Sequence, residues 1–260
     1  MTVLRADQVT LTYRAGPTAR PAVDAVSLEI PPGAAIGIAG ESGSGKTSFA
    51  RMLVGVVEPT SGTVTWDGAP LDRLPRHGPG SRARTVQMIL QDPSGSLNPR
   101  MTVGAAVTEA LRENAMPEAA DSPAAVARLL LLVGLDPSYA VKYPFQLSGG
   151  ERQRVSIARA LAVEPRVLIC DEVTSALDVS VQASILNLLR DLQRRTGMAL
   201  VFVSHNLDVI RYLCRDVVVL LHGQVVERGP ADRVLTTPEH AYTRQLVDAV
   251  PRLARPHTRA

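Results

Sequence analysis

Gly40-Glu41-Ser42-Gly43-Ser44-Gly45-Lys46-Thr47 has the G-x-x-x-x-G-K-[ST] form of a phosphate-binding P-loop. The small, apolar run Ala35-Ile36-Gly37-Ile38-Ala39 leads into it, as a buried parallel strand does. Behind it, Phe49, Met52 and Leu53 fall on one face of a helix. The spacing therefore predicts strand, loop, helix. Glycines let the backbone fold around a phosphate, so that several N–H groups and a helix N-terminus point at the anion. Lys46 can reach outer phosphates as a point charge, and the Thr47 hydroxyl can ligate Mg²⁺. The bland alternative is a chance match in a Gly/Ser-rich turn, which the flanking strand and helix argue against.

Upstream, Val9-Thr10-Leu11-Thr12-Tyr13 and Val26-Ser27-Leu28-Glu29-Ile30 alternate as strands do, separated by a Gly/Pro/Ala loop. Tyr13 is either a strand residue packed on the sheet or a platform for an adenine ring. Downstream, residues 63–68 read as a strand and turn, so an antiparallel sheet is expected over the nucleotide core. Residues 75–84 are expected to form a loop, and Val86-Gln87-Met88-Ile89-Leu90 a second buried strand ending at Gln91. A polar residue at such a strand end sits where α/β proteins bind ligands.

Residues 102–135 are rich in Ala, Leu, Glu and Arg, broken near 117–123, and predict a separate helical layer. Leu147-Ser148-Gly149-Gly150-Glu151 then opens a helix, giving a second anion-binding N-terminus about a hundred residues after the first. Val167-Leu168-Ile169-Cys170-Asp171-Glu172 is a buried strand ending in two carboxylates. One acid can hold Mg²⁺ while the other polarises an attacking water; the alternative is a solvated strand end. Ser175-Ala176-Leu177-Asp178 precedes a helix over 180–195, and a further strand over 199–203 ends at Ser204-His205. Residues 217–221 and 224–227 pair as a hairpin around His222-Gly223. The remaining histidines, His77, His222, His240 and His257, have no ligand spacing.

Composition narrows the class. A hydrophobic fraction of 45% and a charged fraction of 20% are those of a soluble globular protein. Aromatics at 3% require an aliphatic core. The net charge of +3 is small and the arginines are dispersed, which argues against a nucleic-acid face. Cys170 and Cys214 lack C-x-x-C spacing and read as reduced core thiols of a cytosolic protein. The first residues carry no signal-peptide core, and no run approaches 18 apolar residues, so any membrane role is expected to be peripheral.

The ordered set resembles the ATPase subunits of ABC transporters over nearly the whole chain. Residues 40–47 look like Walker A, Gln91 like the Q-loop glutamine and residues 147–151 like the signature motif. Residues 167–171 look like Walker B followed by Glu172, 175–178 like the D-loop, His205 like the switch histidine and Tyr13 like the A-loop aromatic. The resemblance implies an α/β fold: a P-loop NTPase core (1–91 and 160–228) with an N-terminal antiparallel β subdomain. It further implies an inserted helical subdomain (92–159) and a C-terminal extension (229–260). It implies ATP as substrate, with adenine on Tyr13 and phosphates wrapped by Gly40, Glu41, Ser42, Gly43, Ser44, Gly45, Lys46, Thr47 and Ser48. Mg²⁺ would be held by Thr47 with Gln91 and Asp171 in its shell. Glu172 would be the general base and His205 would contact the γ-phosphate. Ser148, Gly149, Gly150 and Glu151 of one chain would close on ATP held by a second ATPase, identical or different, with Asp178 in the D-loop.

Residues 91–103, the run Ser175-Ala176-Leu177-Asp178-Val179-Ser180-Val181-Gln182 and the tail Pro238-Glu239-His240-Ala241-Tyr242-Thr243 resemble the peptide/nickel importer branch. That branch implies two permease subunits, a solute-binding protein, and a seat on the cytoplasmic face of the membrane, with no nucleic-acid partner. Ala241 stands where the branch usually has proline and Val173 where a proline commonly follows the Walker B glutamate, and neither touches the chemistry. No cysteine-ligated cluster is expected after Pro251, and Arg252, Arg255 and Arg259 read as a solvated tail. The competing readings are a soluble ABC ATPase, such as the accessory ATPase of carbon–phosphorus lyase, and a nucleotide-binding regulator without turnover. Residues 93–103 favour the importers over the first, and Glu172 with His205 speaks against the second.

Overall fold

The computed structural model of the chain describes residues 4–13, 20–75, 81–91, 93–113 and 122–249. Strands β1 (Leu4–Leu11) and β2 (Val23–Ile30) pair antiparallel. After β3 (Ala35–Ala39), β4 (Ser61–Trp66) and the short β5 (Ala69–Pro70) return to the first pair, giving a four-stranded sheet ordered β2-β1-β4-β5. Leu4, Ala6, Val9 and Leu11 point into the core while Arg5 and Asp7 face out, the half-buried alternation their sequence predicts.

The second sheet takes β3 together with β6 (Val86–Ile89), β7 (Val167–Asp171), β8 (Ala199–Ser204), β9 (Asp216–Leu221) and β10 (Gln224–Pro230). Its order is β10-β9-β3-β8-β7-β6, parallel throughout except for the β9–β10 hairpin. Both faces of its middle strands are covered, so β3, β7, β8 and β9 are apolar at nearly every position, whereas the edge strand β10 carries Gln224, Glu227 and Arg228. Successive side chains split between two cores. Ile38, Ile169, Val201, Val203 and Val218 pack towards the antiparallel sheet, whereas Leu168, Cys170, Leu200, Phe202 and Val217 pack towards the helices.

Helix α1 (Lys46–Leu53) turns Phe49, Met52 and Leu53 into the space between the sheets. A short turn α2 (Arg82–Thr85) precedes β6. The helical layer contains α3 (Pro93–Ser96), α4 (Val103–Glu113), α5 (Pro123–Leu132) and α6 (Gly149–Leu161). Then follow α7 (Val179–Thr196), α8 (Leu207–Leu213), α9 (Ala231–Thr236) and α10 (Ala241–Asp248).

Four boundaries differ from the sequence expectation, each for a local reason. β1 stops at Leu11, leaving Tyr13 beyond the strand and off the sheet. The strand expected over 86–90 ends at Ile89, and Leu90 is exposed. Within the loop expected over 75–84, Ser81 accepts a hydrogen bond from the Arg84 N–H and starts a helical turn. α7 starts at Val179 because Asp178 caps it. The break expected near 117–123 falls largely outside the described residues, as do His77, Asp92, His257 and the arginine tail. Cys170 and Cys214 are free and buried, and burial pushes both thiols well above the usual range. Among the described residues, no helix is long and apolar enough to cross a membrane.

Candidate active site

Parallel strands deliver their C-terminal ends to one rim of a sheet, where the following loops build a ligand site. Here β3 delivers the phosphate loop, β7 delivers Asp171 and Glu172, β8 delivers His205, and β6 leads to Gln91. Lys46 is only 5% exposed, and its ammonium donates to the carbonyls of Gly40 (2.8 Å) and Glu41 (2.7 Å). Burial draws its pKa below the usual lysine value, against the opposing pull of the Glu172, Asp171 and Glu41 carboxylates.

Thr47 donates its hydroxyl to Asp171 Oδ1 at 3.2 Å. Asp171 is buried, and desolvation raises its pKa, opposed by the Thr47 hydrogen bond. A hydroxyl and a buried carboxylate side by side form a hard-oxygen pair, the donor chemistry that suits Mg²⁺. Among the described residues no cluster of three or more His, Cys, Asp or Glu forms a metal cage.

Glu172 stands at φ 48°, a left-handed conformation uncommon for a non-glycine residue. Its N–H donates to the Val203 carbonyl at 3.0 Å, which holds the turn against β8. His205 Nδ1 lies 3.3 Å from Glu172 Oε1. Gln91, exposed at the rim, donates to Ser175 Oγ at 3.4 Å, and Ser175 donates to the Glu172 carbonyl at 2.9 Å. Ser175, which the sequence reading placed only in the D-loop run, thus links Gln91 to the Glu172 backbone. Tyr13 is 60% exposed and its hydroxyl lies 3.0 Å from Ser48 Oγ, so it is available as a ring surface beside the loop.

The second anion signal lies in the helical layer. Ser148 Oγ accepts from the Glu151 N–H (3.3 Å) and Glu151 Oε2 accepts from the Ser148 N–H (2.7 Å), a capping box. Glu151 Oε1 also accepts from the Tyr139 hydroxyl at 2.6 Å, and these bonds hold its carboxyl below the usual range, Tyr139 contributing most. Asp178 caps α7, accepting from the Val181 N–H (2.9 Å) and the Ser180 hydroxyl (2.7 Å). Among the described residues, no hydrogen bond joins residues 148–151 to the phosphate loop of the same chain. One contact has no counterpart in the sequence reading: the Glu41 N–H donates to the Tyr242 hydroxyl at 2.9 Å, from the far end of the chain.

A phosphate loop, a strand-end carboxylate pair, a strand-end histidine and a detached capped glycine helix define an ATP-binding cassette. The comparisons agree with that class. The family model described as ABC transporter matches residues 23–175, and one described as oligopeptide/dipeptide transporter, C-terminal region, matches residues 226–260. The chain belongs to the ABC transporter family. It is 45% identical over 230 residues to a glutathione import ATP-binding protein of Pectobacterium atrosepticum, covering 88% of this chain and 37% of that relative. It is 46% identical over 235 residues to a protein of Brucella abortus named as a peptide import ATP-binding protein, covering 90% and 70% respectively. The chain thus spans well under half the length of the glutathione import relative. Among solved structures, the dimeric ATP-binding cassette MJ0796, in a post-hydrolysis state with ADP and Pi, superposes with a TM-score of 0.75 at 29% identity, over 89% of this chain and 99% of that one. CbiO1 of Clostridium perfringens, part of the transporter complex cbiONQ, gives 0.77 at 25% identity over 91% of each.

Proposed function

We propose that this chain is the ATP-hydrolysing subunit of an importer for peptides or related small solutes. The observation that carries the reading is the meeting of Lys46, Thr47, Asp171, Glu172 and His205 on one sheet rim. The match of residues 226–260 to the oligopeptide/dipeptide transporter region directs that chemistry to peptide transport, and the import ATP-binding relatives support uptake as its direction.

In this reading the core comprises residues 1–91 and 160–228, with the helical subdomain over 92–159 and an extension from 229. Adenine stacks on Tyr13, and the N–H groups of residues 40–48 that are not already engaged within the protein hold the phosphates with Lys46, the Glu41 N–H being taken by Tyr242. Thr47, Asp171 and Gln91 would hold Mg²⁺, which neutralises charge on the phosphate oxygens when bound. Glu172 takes a proton from the attacking water as its oxygen bonds to the γ-phosphorus and the bond to the leaving ADP oxygen breaks. ADP and inorganic phosphate result. Where the His205 Nδ1–H donates to the Glu172 carboxylate it fixes that carboxylate, and His205 meets the γ-phosphate only by presenting an N–H at Nε2 as well, because phosphate oxygens only accept. Residues 148–151 of one copy close on nucleotide held by a second ATPase, with Asp178 at the junction. The closed pair drives two permeases from the cytoplasmic face of the membrane, and a solute-binding protein supplies the cargo.

Mild-detergent purification of the tagged protein from its native cells tests this directly. Two permeases and a solute-binding protein are expected with it. Recovery only with soluble enzymes refutes the importer.

A further inference from the structure

Tyr242 lies on α10, in a part of the chain to which neither the strand ends nor the phosphate loop contributes. The segment before it is strapped to β10. Glu227 accepts the N–H of Glu239 (2.9 Å) on one carboxylate oxygen and the N–H of His240 (3.1 Å) on the other. His240 Nδ1 then caps α10 by accepting from the Tyr242 N–H at 3.2 Å. The Tyr242 side chain is thereby fixed inward, with the residue 7% exposed. Burial raises its pKa above the usual phenol value, so it is a neutral hydroxyl across the physiological range.

That hydroxyl reaches a single peptide unit of the phosphate loop. The peptide joining Gly40 to Glu41 donates its N–H to Tyr242 Oη at 2.9 Å, and its C=O accepts from Lys46 Nζ at 2.8 Å. The next carbonyl, of Glu41, accepts from Lys46 at 2.7 Å and from the Ser44 N–H at 3.2 Å. Turning the 40–41 peptide over would break the Tyr242 and Lys46 bonds together. Gly40 permits such a turn more readily than any residue with a side chain. The tyrosine thus bonds the same peptide that Lys46 bonds, from its opposite edge: Tyr242 takes the N–H and Lys46 the C=O.

We infer that Tyr242 is a positioning residue of the nucleotide site, clamping the 40–41 peptide so that the phosphate loop and Lys46 are arranged before ATP arrives. The C-terminal segment is then part of the nucleotide site, and the Glu227 strap transmits its docking to the loop. The inference rests on the ATP reading above, because it assigns what the clamp is for. A preorganised loop binds without first ordering itself, so losing the clamp weakens ATP binding rather than the chemical step.

The test uses the full chain as Tyr242→Phe, which keeps the buried ring and removes only the hydroxyl. Wild type and variant are titrated with Mg·ATP, melted without nucleotide, and assayed for turnover at saturating ATP. The expected result is a Kd and KM for ATP raised about fivefold to tenfold, kcat within about twofold, and a melting temperature nearly unchanged. Glu227→Ala, which loosens the strap without touching the loop, should raise Kd in the same direction. In the Tyr242→Phe background it should add little, because both act through one contact. Unchanged or tighter ATP binding in Tyr242→Phe, or a melting temperature that falls while Kd stays put, overturns the inference and leaves Tyr242 a packing residue. Fully additive effects of the two substitutions overturn the strap. A wild type that binds no ATP overturns the nucleotide reading and the clamp with it, whereas wild-type binding with an unaltered variant overturns the clamp alone.

Discussion

Two glycines of the phosphate loop make a paired experiment. Gly45 caps α1 at φ 103° and ψ −1°, outside the region that alanine tolerates. A Cβ added there would lie 2.3 Å from the Ala22 carbonyl oxygen and 3.3 Å from Gly223 Cα, both backbone atoms that cannot swing aside. Gly43 also has a positive φ, 80°, yet its Cβ would meet nothing within 4 Å. In Gly45→Ala the forced dihedral costs about 1–3 kcal/mol. Relieving the overlap moves a junction held by three bonds: Ala22 N–H to Leu11 O (2.7 Å), Asp24 N–H to Gly223 O (2.9 Å) and Gly223 N–H to Ser44 O (3.0 Å). Losing one adds about 1 kcal/mol, for a total of about 2–4 kcal/mol. Gly43→Ala carries the dihedral term alone, about 1–2 kcal/mol. Urea unfolding followed by circular dichroism measures both, with the m-values compared so that a change in cooperativity is not mistaken for a change in stability. Gly45→Ala should also bind ATP more weakly, because the first N–H groups of α1 shift with it. Equal stability of the two variants would refute the argument, for it would mean that the junction between the two sheets yields freely.

The other expectations are briefer. Glu172→Gln should keep ATP binding and lower turnover by about 10²–10⁴-fold; near-normal phosphate release would remove Glu172 from the role of base. Asp171 titrates above the 3.8 of an ordinary aspartate because burial disfavours its charge, so its contribution to stability is full below that value and declines as pH rises through the folded pKa. Asp171→Asn should therefore stabilise the nucleotide-free chain at pH 7, the gain shrinking towards pH 4; a loss of stability at pH 7 would contradict it. Tyr13→Ala, at an exposed ring, should change unfolding free energy by less than about 0.5 kcal/mol and weaken ATP about fivefold. An undisturbed affinity in a binding titration would end the stacking role. The two thiols should resist a disulfide reagent in the native chain and react together on unfolding, whereas rapid native labelling of either would mean that its strand opens locally.

How much the sequence disclosed depended on the range of the signal. Residues 40–47, the strand ending at Asp171 and the Ser148 cap are local: each motif is a short run whose neighbours supply its strand, turn or helix. They were legible, and so was the division into two sheets and a helical layer. Strand order was not, because nothing in residues 35–39 indicates that their neighbours are residues 199–204 and 216–221. The contacts of Ser175 and Tyr242 were missed for the same reason, although both residues lay in runs that the sequence singled out. Ser175 acts through a glutamine 84 positions away, and Tyr242 through an N–H 201 positions away. Tyr13 was left between two readings because alternation cannot say where a strand stops. The backbone ended it two residues short, and the ring came free.

The seat of β3 between β8 and β9 also sets a timetable. The strand that carries the phosphate loop leaves the ribosome early, but both of its hydrogen-bonding neighbours are made more than 150 residues later. At about 5–20 residues per second, Ile36 and Ile38 wait on the order of ten seconds or longer with unpaired edges on each side. The antiparallel sheet, whose strands all lie within the first 70 residues, can close meanwhile and shelter one face. The two edges of β3 stay open until β8 and β9 arrive, and its other face until α8 brings Ile210 against Gly37, so a nascent chain halted before residue 199 should neither bind nucleotide nor remain soluble without a chaperone. ATP binding is, for this molecule, a report that synthesis has passed its last parallel strand.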